Sequence, residues 1–168
     1  MASEPLSATD LATITAAGIA CITFVVSTAT YIKTTRRERR VKTLDYWESI
    51  QPSLIAARKD LSSIHDGEWT REIAQTHLNS PNSELISRGL NSFERLGTGV
   101  SLDIYDLKVL NKLAGKMIID SFIAYAPLIA AREEQLDRCF LFREFEILYN
   151  ELSKLRDKEK KASIDAFK

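Results

Sequence analysis

Residues 11–32 read LATITAAGIACITFVVSTATYI, a run of 22 residues without a charged side chain. At about 1.5 Å per residue, a helix of this length rises about 33 Å, enough to cross a hydrocarbon core of roughly 30 Å. A single isolated span has to satisfy its backbone hydrogen bonds internally, so it is expected to be helical. The run therefore predicts one N-terminal transmembrane helix.

The charges on either side of this run predict its orientation. Residues 1–10 carry two acidic side chains and no basic one, whereas residues 33–43 form a basic juxtamembrane segment. The cations of this segment are Lys33, Arg36, Arg37, Arg39, Arg40 and Lys42. Positive charge is retained on the cytoplasmic side, so the pattern predicts an inner-membrane protein with its N-terminus outside and its C-terminal domain in the cytoplasm. A cleaved signal peptide would instead carry its basic residues ahead of the apolar run.

The same region has two further interpretations. The basic segment is expected to contact anionic lipid headgroups as well as to set orientation. Ala12, Ala16 and Ala20 have the small-xxx-small spacing that lets two membrane helices approach closely. The alternative is that alanine is simply common in membrane helices, and we favour it.

The chain after the basic segment predicts a small all-α bundle over 44–155. Apolar side chains recur at helical spacing from Leu44 to Ile64, and His65-Asp66-Gly67 predicts the end of that helix. A short helix is expected over 68–78, and Ser80-Pro81 predicts the start of the next. No segment alternates with period two between hairpin turns, so no sheet is expected.

Glycines and capping residues predict the next boundaries. Gly97-Thr98-Gly99 is expected to end one helix, and Asp103, with Asp106 three residues on, to cap the following helix. Gly115 is expected to end that helix.

The apolar segment 117–131 raises the question of a second span. It is only about 15 residues long and contains Asp120 and Pro127, so it predicts a buried core helix instead.

The last strong helix is predicted over 133–158, with a charged tail over 156–168. Its apolar residues alternate steps of four and three, as in a packed helical seam. They are Leu141, Phe145, Leu148, Leu152 and Leu155. The seam is a candidate self-association surface, and ordinary core packing is the alternative.

The sequence shows no catalytic or cofactor-binding pattern. The two histidines, His65 and His77, lie on separate predicted elements, so no metal site is expected. Cys139 has no histidine nearby in sequence and is expected to be a small buried residue. From Thr43 onward the chain has 17 basic and 20 acidic side chains, which argues against nucleic acid as a partner. No enzymatic activity and no cofactor are therefore predicted.

The most site-like stretch is FERLGTGVSLDIYD at residues 93–106. One interpretation makes Glu94, Asp103 and Asp106 acid/base or cation-binding groups. The alternative is structural: the two aspartates cap a helix, and Glu94 pairs with Arg95. We favour the structural interpretation.

This stretch, extended to NSFERLGTGVSLDIYDLKVLNKLAG, resembles domain-of-unknown-function family 4760 over roughly residues 40–155. The family comprises small prokaryotic and prophage-associated proteins, often with one N-terminal span. Its pattern resembles N-x-x-E-R-L-x-x-G-V, a G-x-Y-D step and a later P-x-I-x-x-R-R. The matching residues are Asn91, Glu94, Arg95, Leu96, Gly99, Val100, Tyr105, Asp106, Pro127, Ile129 and Arg132. Asp103-Ile104 replaces the glycine of the Tyr-Asp step, and Glu133 replaces the second arginine. The resemblance implies a helical fold and no established activity.

These observations predict a membrane-anchored helical interaction module, an adaptor or regulator whose partner is itself or another protein. The resemblance adds an alternative: a prophage or anti-phage membrane effector of the superinfection-exclusion type.

Overall fold

The computed structural model describes residues 7–166, apart from the side chains of residues 8, 10 and 164–166. Over this range the chain forms five helices and no strand, so the predicted all-α class is confirmed. The helices are α1 (Ala8–Ile64), α2 (Arg71–Leu78), α3 (Ser83–Ser101), α4 (Leu107–Leu136) and α5 (Arg143–Ala166). Most of the predicted N-terminal segment 1–10 lies outside the described residues. The chain divides into two compact units, Met1–Glu38 and Arg39–Lys168.

The first unit holds the apolar run of α1. All side chains from Leu11 to Ile32 are exposed, and large apolar ones such as Leu11 and Phe24 are 61% and 72% exposed. The hydroxyls of Thr13 and Thr15 each donate to the carbonyl four residues earlier, at 2.8 Å. These bonds satisfy polar side chains inside the helix itself, as an apolar surrounding requires.

Two helices are long and apolar enough to cross a membrane. The first is Leu11–Ile64, whose most apolar window is 0% buried, and the second is Leu107–Leu136, whose window is 33% buried. Both helices qualify by length and composition alone.

The second unit is organised around a core to which all five helices contribute. α3 packs against α5, and α4 packs against α2 and α5. α1 contributes Trp47, Leu54 and Leu61 to the core. At its centre the ring of Phe93 stacks on that of Phe145, with centroids 4.6 Å apart and an interplanar angle of 11°.

Helix α4 buries one face along its length. The buried positions recur every three or four residues: Leu110, Asn111, Ala114, Gly115, Ile118, Ser121, Tyr125, Leu128 and Ala131. This is the periodicity of a helix packed on one side. Pro127 lies inside the helix, as does Gly115, so the prediction that Gly115 ends a helix was wrong. A Cβ at Gly115 would meet the ends of the Asn111 and Arg156 side chains, which pack against the helix at this position.

The prediction that Gly97-Thr98-Gly99 ends a helix was also wrong, since α3 continues to Ser101. A Cβ at Gly97 would collide with the backbone carbonyl of Glu144, at the start of α5. A Cβ at Gly99 would collide with the ring of Tyr105. The two glycines therefore allow close approach within a continuing helix.

The last helix differs most from its prediction. α4 ends at Leu136 and α5 begins at Arg143, so a helix spanning 133–158 was wrong. The intervening backbone turns through positive φ at Asp137 (49°) and Phe140 (63°), a conformation that breaks a helix. Cys139 lies in this connection and is exposed, contrary to the expected burial. α5 continues to Ala166, through most of the predicted tail.

The apolar seam of α5 belongs largely to the core. Phe145, Leu148 and Leu152 are at most 1% exposed. Leu141 is partly buried against the same core. This placement agrees with the core-packing alternative for these residues.

We expect Gly97→Ala to lower the free energy of unfolding by about 3 kcal/mol, because overpacking against a backbone cannot relax by side-chain movement. Gly18→Ala is the matched control, since a Cβ there has nothing within 4 Å. Unfolding of the full-length chain in neutral detergent can be followed by the fluorescence of Trp47 and Trp69, both of which are buried. Equal stability of the Gly97 and Gly18 variants would contradict the close helix approach.

Candidate functional site

The site-like stretch 93–106 lies where α3, α4 and the C-terminal part of α1 meet. Asp103 has φ 59° in the turn between α3 and α4. Its carboxylate accepts a hydrogen bond from the Arg39 guanidinium, with Nη2 and Oδ1 2.7 Å apart. The same Arg39 nitrogen donates to the backbone carbonyl of Tyr105 at 3.3 Å. Asp103 thus fastens the turn to α1, and the prediction that it caps a helix was wrong.

Asp106, predicted to complete a capping box begun by Asp103, is itself the N-cap of α4. Its Oδ1 accepts from the backbone N–H groups of Lys108 and Val109, at 2.9 and 3.1 Å. Its Oδ2 accepts from Arg40 Nε at 3.4 Å. Its own N–H donates to Thr43 Oγ1 at 2.7 Å, and Thr43 is only 2% exposed. Asp106 therefore starts α4 and ties it to α1 at the same point.

A pair of stacked tyrosines covers this junction. The rings of Tyr46 and Tyr105 have centroids 4.3 Å apart and an interplanar angle of 17°. Burial raises the pKa of both phenols, and for Tyr46 the hydrogen bond with Tyr105 and the nearby Arg95 partly offset this. Gly99 lies directly beneath the Tyr105 ring. The Gly-to-Tyr spacing of the motif is thus explained by packing.

Glu94 caps a helix distant in sequence. Its two carboxylate oxygens accept from the backbone N–H groups of Glu144 and Phe145, at 3.2 and 2.9 Å. Burial raises the pKa of the Glu94 carboxyl, against the lowering effect of these two bonds. The N–H groups at the start of a helix have no intrahelical acceptor. Glu94 therefore supplies acceptors for two N–H groups of the first turn of α5. The predicted local pairing of Glu94 with Arg95 was wrong.

The remaining motif residues occupy three settings. Arg132 donates to Ser83 Oγ at 3.2 Å and to Gln135 Oε1 at 2.6 Å, which links α4 to the start of α3. Pro127 lies within α4. Asn91 and Arg95 are exposed on α3.

The basic juxtamembrane segment divides between two environments. Arg39 and Arg40 form the ion pairs with Asp103 and Asp106. The other four cations, Lys33, Arg36, Arg37 and Lys42, have no ion pair with a residue that the structure describes. The alanines Ala12, Ala16 and Ala20 are exposed on the apolar run.

The structure brings together side chains that sequence reasoning kept apart. The imidazoles of His65 and His77 have centroids 6.3 Å apart, and both lie against the Trp69 indole. Among the described residues, no three histidine, cysteine or acidic side chains are placed to hold a metal ion. The ion pair between Arg39 and Asp103, 64 residues apart, also had no signal in the sequence.

A family model described as Domain of unknown function (DUF4760) matches residues 16–152, which confirms the resemblance. The match begins inside the apolar run, well ahead of the expected residue 40. No curated protein and no solved structure matches the chain.

We expect Asp106→Ala to lower the free energy of unfolding by about 1–2 kcal/mol, because loss of a helix cap has this cost and Arg40 loses its partner. Asp103→Asn is the matched control. Asp103 is 82% exposed, and asparagine tolerates its positive φ, so a change within about 0.5 kcal/mol is expected. Both values follow from urea unfolding monitored by tryptophan fluorescence. If the two substitutions cost the same, Asp106 does not have the structural role described.

Proposed function

We propose that this chain, which belongs to the family Domain of unknown function (DUF4760), is a membrane-anchored helical interaction module without catalytic activity. In this proposal residues 11–32 span the inner membrane once. The unit that begins at Arg39 then works on the cytoplasmic face, where it binds a partner protein or a second copy of the chain. The observation that carries the proposal is the apolar run of α1, of which no side chain from 11 to 32 is buried.

The exposure of this run supports a lipid surrounding. Leu11, Ile22, Phe24 and Tyr31 are each more than 60% exposed. Apolar surface costs about 25 cal/mol per Å² to leave in water, and soluble proteins rarely expose a continuous apolar patch of this size. The family match from residue 16 includes most of the run, so the run belongs to the region that the family model describes.

The packing of α4 supports a single span. Its buried face contributes Leu110, Ile118 and Leu128 to the core, each at 0% exposed. Asp120 and Lys116 are exposed on the same helix. A helix that both completes a core and carries exposed charges near its middle is poorly suited to lipid.

The roles of the motif residues support interaction over catalysis. Glu94 and Asp106 each use both carboxylate oxygens on backbone N–H groups or an arginine. A general acid or base needs a proton position that the substrate can reach. The proposal therefore assigns these carboxylates to the fold.

The connection between α4 and α5 is the surface that we assign to the partner. Phe140 is 69% exposed, and its backbone is held at φ 63°. The Arg143 guanidinium lies 5.9 Å from its ring centroid, and Leu136 nearby is 43% exposed. A large aromatic that is held outward in a costly backbone conformation suits a binding contact.

The native Cys139, which lies in the second unit, provides a direct test of topology. In spheroplasts, a membrane-impermeant maleimide is expected to label Cys139 only after permeabilisation, because the second unit is cytoplasmic. The matched variant Ala2→Cys with Cys139→Ser should label without permeabilisation. Labelling of Cys139 in intact spheroplasts would contradict the orientation, and recovery of the protein in the soluble fraction would contradict the anchor.

A photo-crosslinking amino acid in place of Phe140 tests the interaction surface. Irradiation of intact cells is expected to yield an adduct with one dominant foreign protein or with a second copy of the chain. The same group in place of Lys154, which is exposed on α5 and paired with Glu151, is the control and should yield much less. Equal yields at both positions, or none at either, would contradict the assignment.

A further inference from the structure

Helix α4 carries an unneutralised basic stripe. Lys108, Lys112 and Lys116 recur at every fourth position and are all exposed. Side chains four residues apart on a helix are neighbours on one face. None of the three forms an ion pair with a residue that the structure describes. The stripe is therefore a local excess of positive charge.

Lys112 and Lys116 line a groove together with two arginines. The groove has a volume of about 500 Å³, and Ala114 and Gly115 are among the residues that line it. Its charged residues are Arg58, Lys112, Lys116 and Arg156, against Asp120. Four cations thus face one carboxylate in a concave surface, where their fields add.

One of the cations contacts a buried side chain of α4. The buried Asn111, 4% exposed, accepts from Arg156 Nη1 at 3.4 Å through its Oδ1. Its amide nitrogen donates to Glu159 Oε2 at 3.0 Å. A Cβ at Gly115 would lie only 3.0 Å from Arg156 Nη1, so the glycine allows the guanidinium to lie against α4. Glu159, bonded to Asn111, adds a second carboxylate beside the groove, so the excess of positive charge remains.

An adjoining cavity has a smaller excess of positive charge than this groove. It shares Lys112 and adds Lys108 and Arg40, but it is also lined by Asp106 and Glu159. Its charges are nearly balanced, and Arg40 and Asp106 are paired. The excess of positive charge is therefore concentrated in the groove beside Gly115.

We propose that the groove formed by Arg58, Lys112, Lys116 and Arg156 binds a phosphate-bearing anion. Arginine offers a planar fork of donors to phosphate oxygens, and lysine adds compact positive charge. Such a group can come from an anionic lipid headgroup or from a soluble phosphorylated compound. The residues differ from the juxtamembrane cations, and the site does not depend on the proposed topology.

Isothermal titration of the full-length chain in neutral maltoside micelles with inorganic pyrophosphate tests the site. Saturable binding is expected, and Lys112→Glu with Lys116→Glu should weaken it at least tenfold. Arg88→Glu with Lys154→Glu is the matched control, because both cations are exposed, neither lines the groove, and binding should be unchanged. The variant Lys112→Gln with Lys116→Gln should give an intermediate loss, and tryptophan fluorescence verifies that each variant is folded.

Doping the micelles with phosphatidylglycerol distinguishes the two sources. If the lipid displaces pyrophosphate, with phosphatidylcholine as the inactive control, the ligand is a headgroup. If it does not, the groove serves a soluble phosphate compound. Absence of pyrophosphate binding to the wild-type chain, or equal weakening by the groove and control variants, would overturn the proposal.

Discussion

The second unit depends on the close approach of α3 to the start of α5. Gly97 lets the Glu144 carbonyl come against α3 where a Cβ would not fit. One turn earlier, Glu94 accepts the first N–H groups of α5. The same approach allows Phe93 to stack on Phe145 at the centre of the core. A glycine that permits close approach, a helix cap and an aromatic contact thus occur together within two turns of α3.

A second set of ties joins α1 to the turn before α4. The buried Thr43 hydroxyl donates to the Arg39 carbonyl at 2.7 Å and accepts from Asp106 N–H. Arg39 and Arg40 add ion pairs whose carboxylates belong to the same turn. Two of the six cations that follow the apolar run therefore form ion pairs within the second unit. A basic cluster in a sequence can set membrane orientation and also hold a domain together.

The helical class, the end of α1 and the cap at Asp106 could be predicted from the sequence because they depend on local periodicity and capping. The glycines misled the prediction, because both lie inside helices, and Gly97 is required by the Glu144 backbone, which is distant in sequence. The role of Glu94 was missed for the same reason, since its partners are 50 and 51 residues away. The break at Asp137 and Phe140 has no glycine or proline to mark it, so periodicity alone continued the helix through it.

Arg39 and Thr43 lie far in sequence from the turn that they bind. This separation affects the order of events during synthesis of the chain. Their partners, Asp103 and Asp106, follow 63 or 64 residues later. At about 5–20 residues per second, a ribosome needs roughly 3–13 s to deliver them. During this interval the Thr43 hydroxyl and the Arg39 guanidinium have no partner in the turn. The apolar run is therefore synthesised well before the contacts that close the second unit can form.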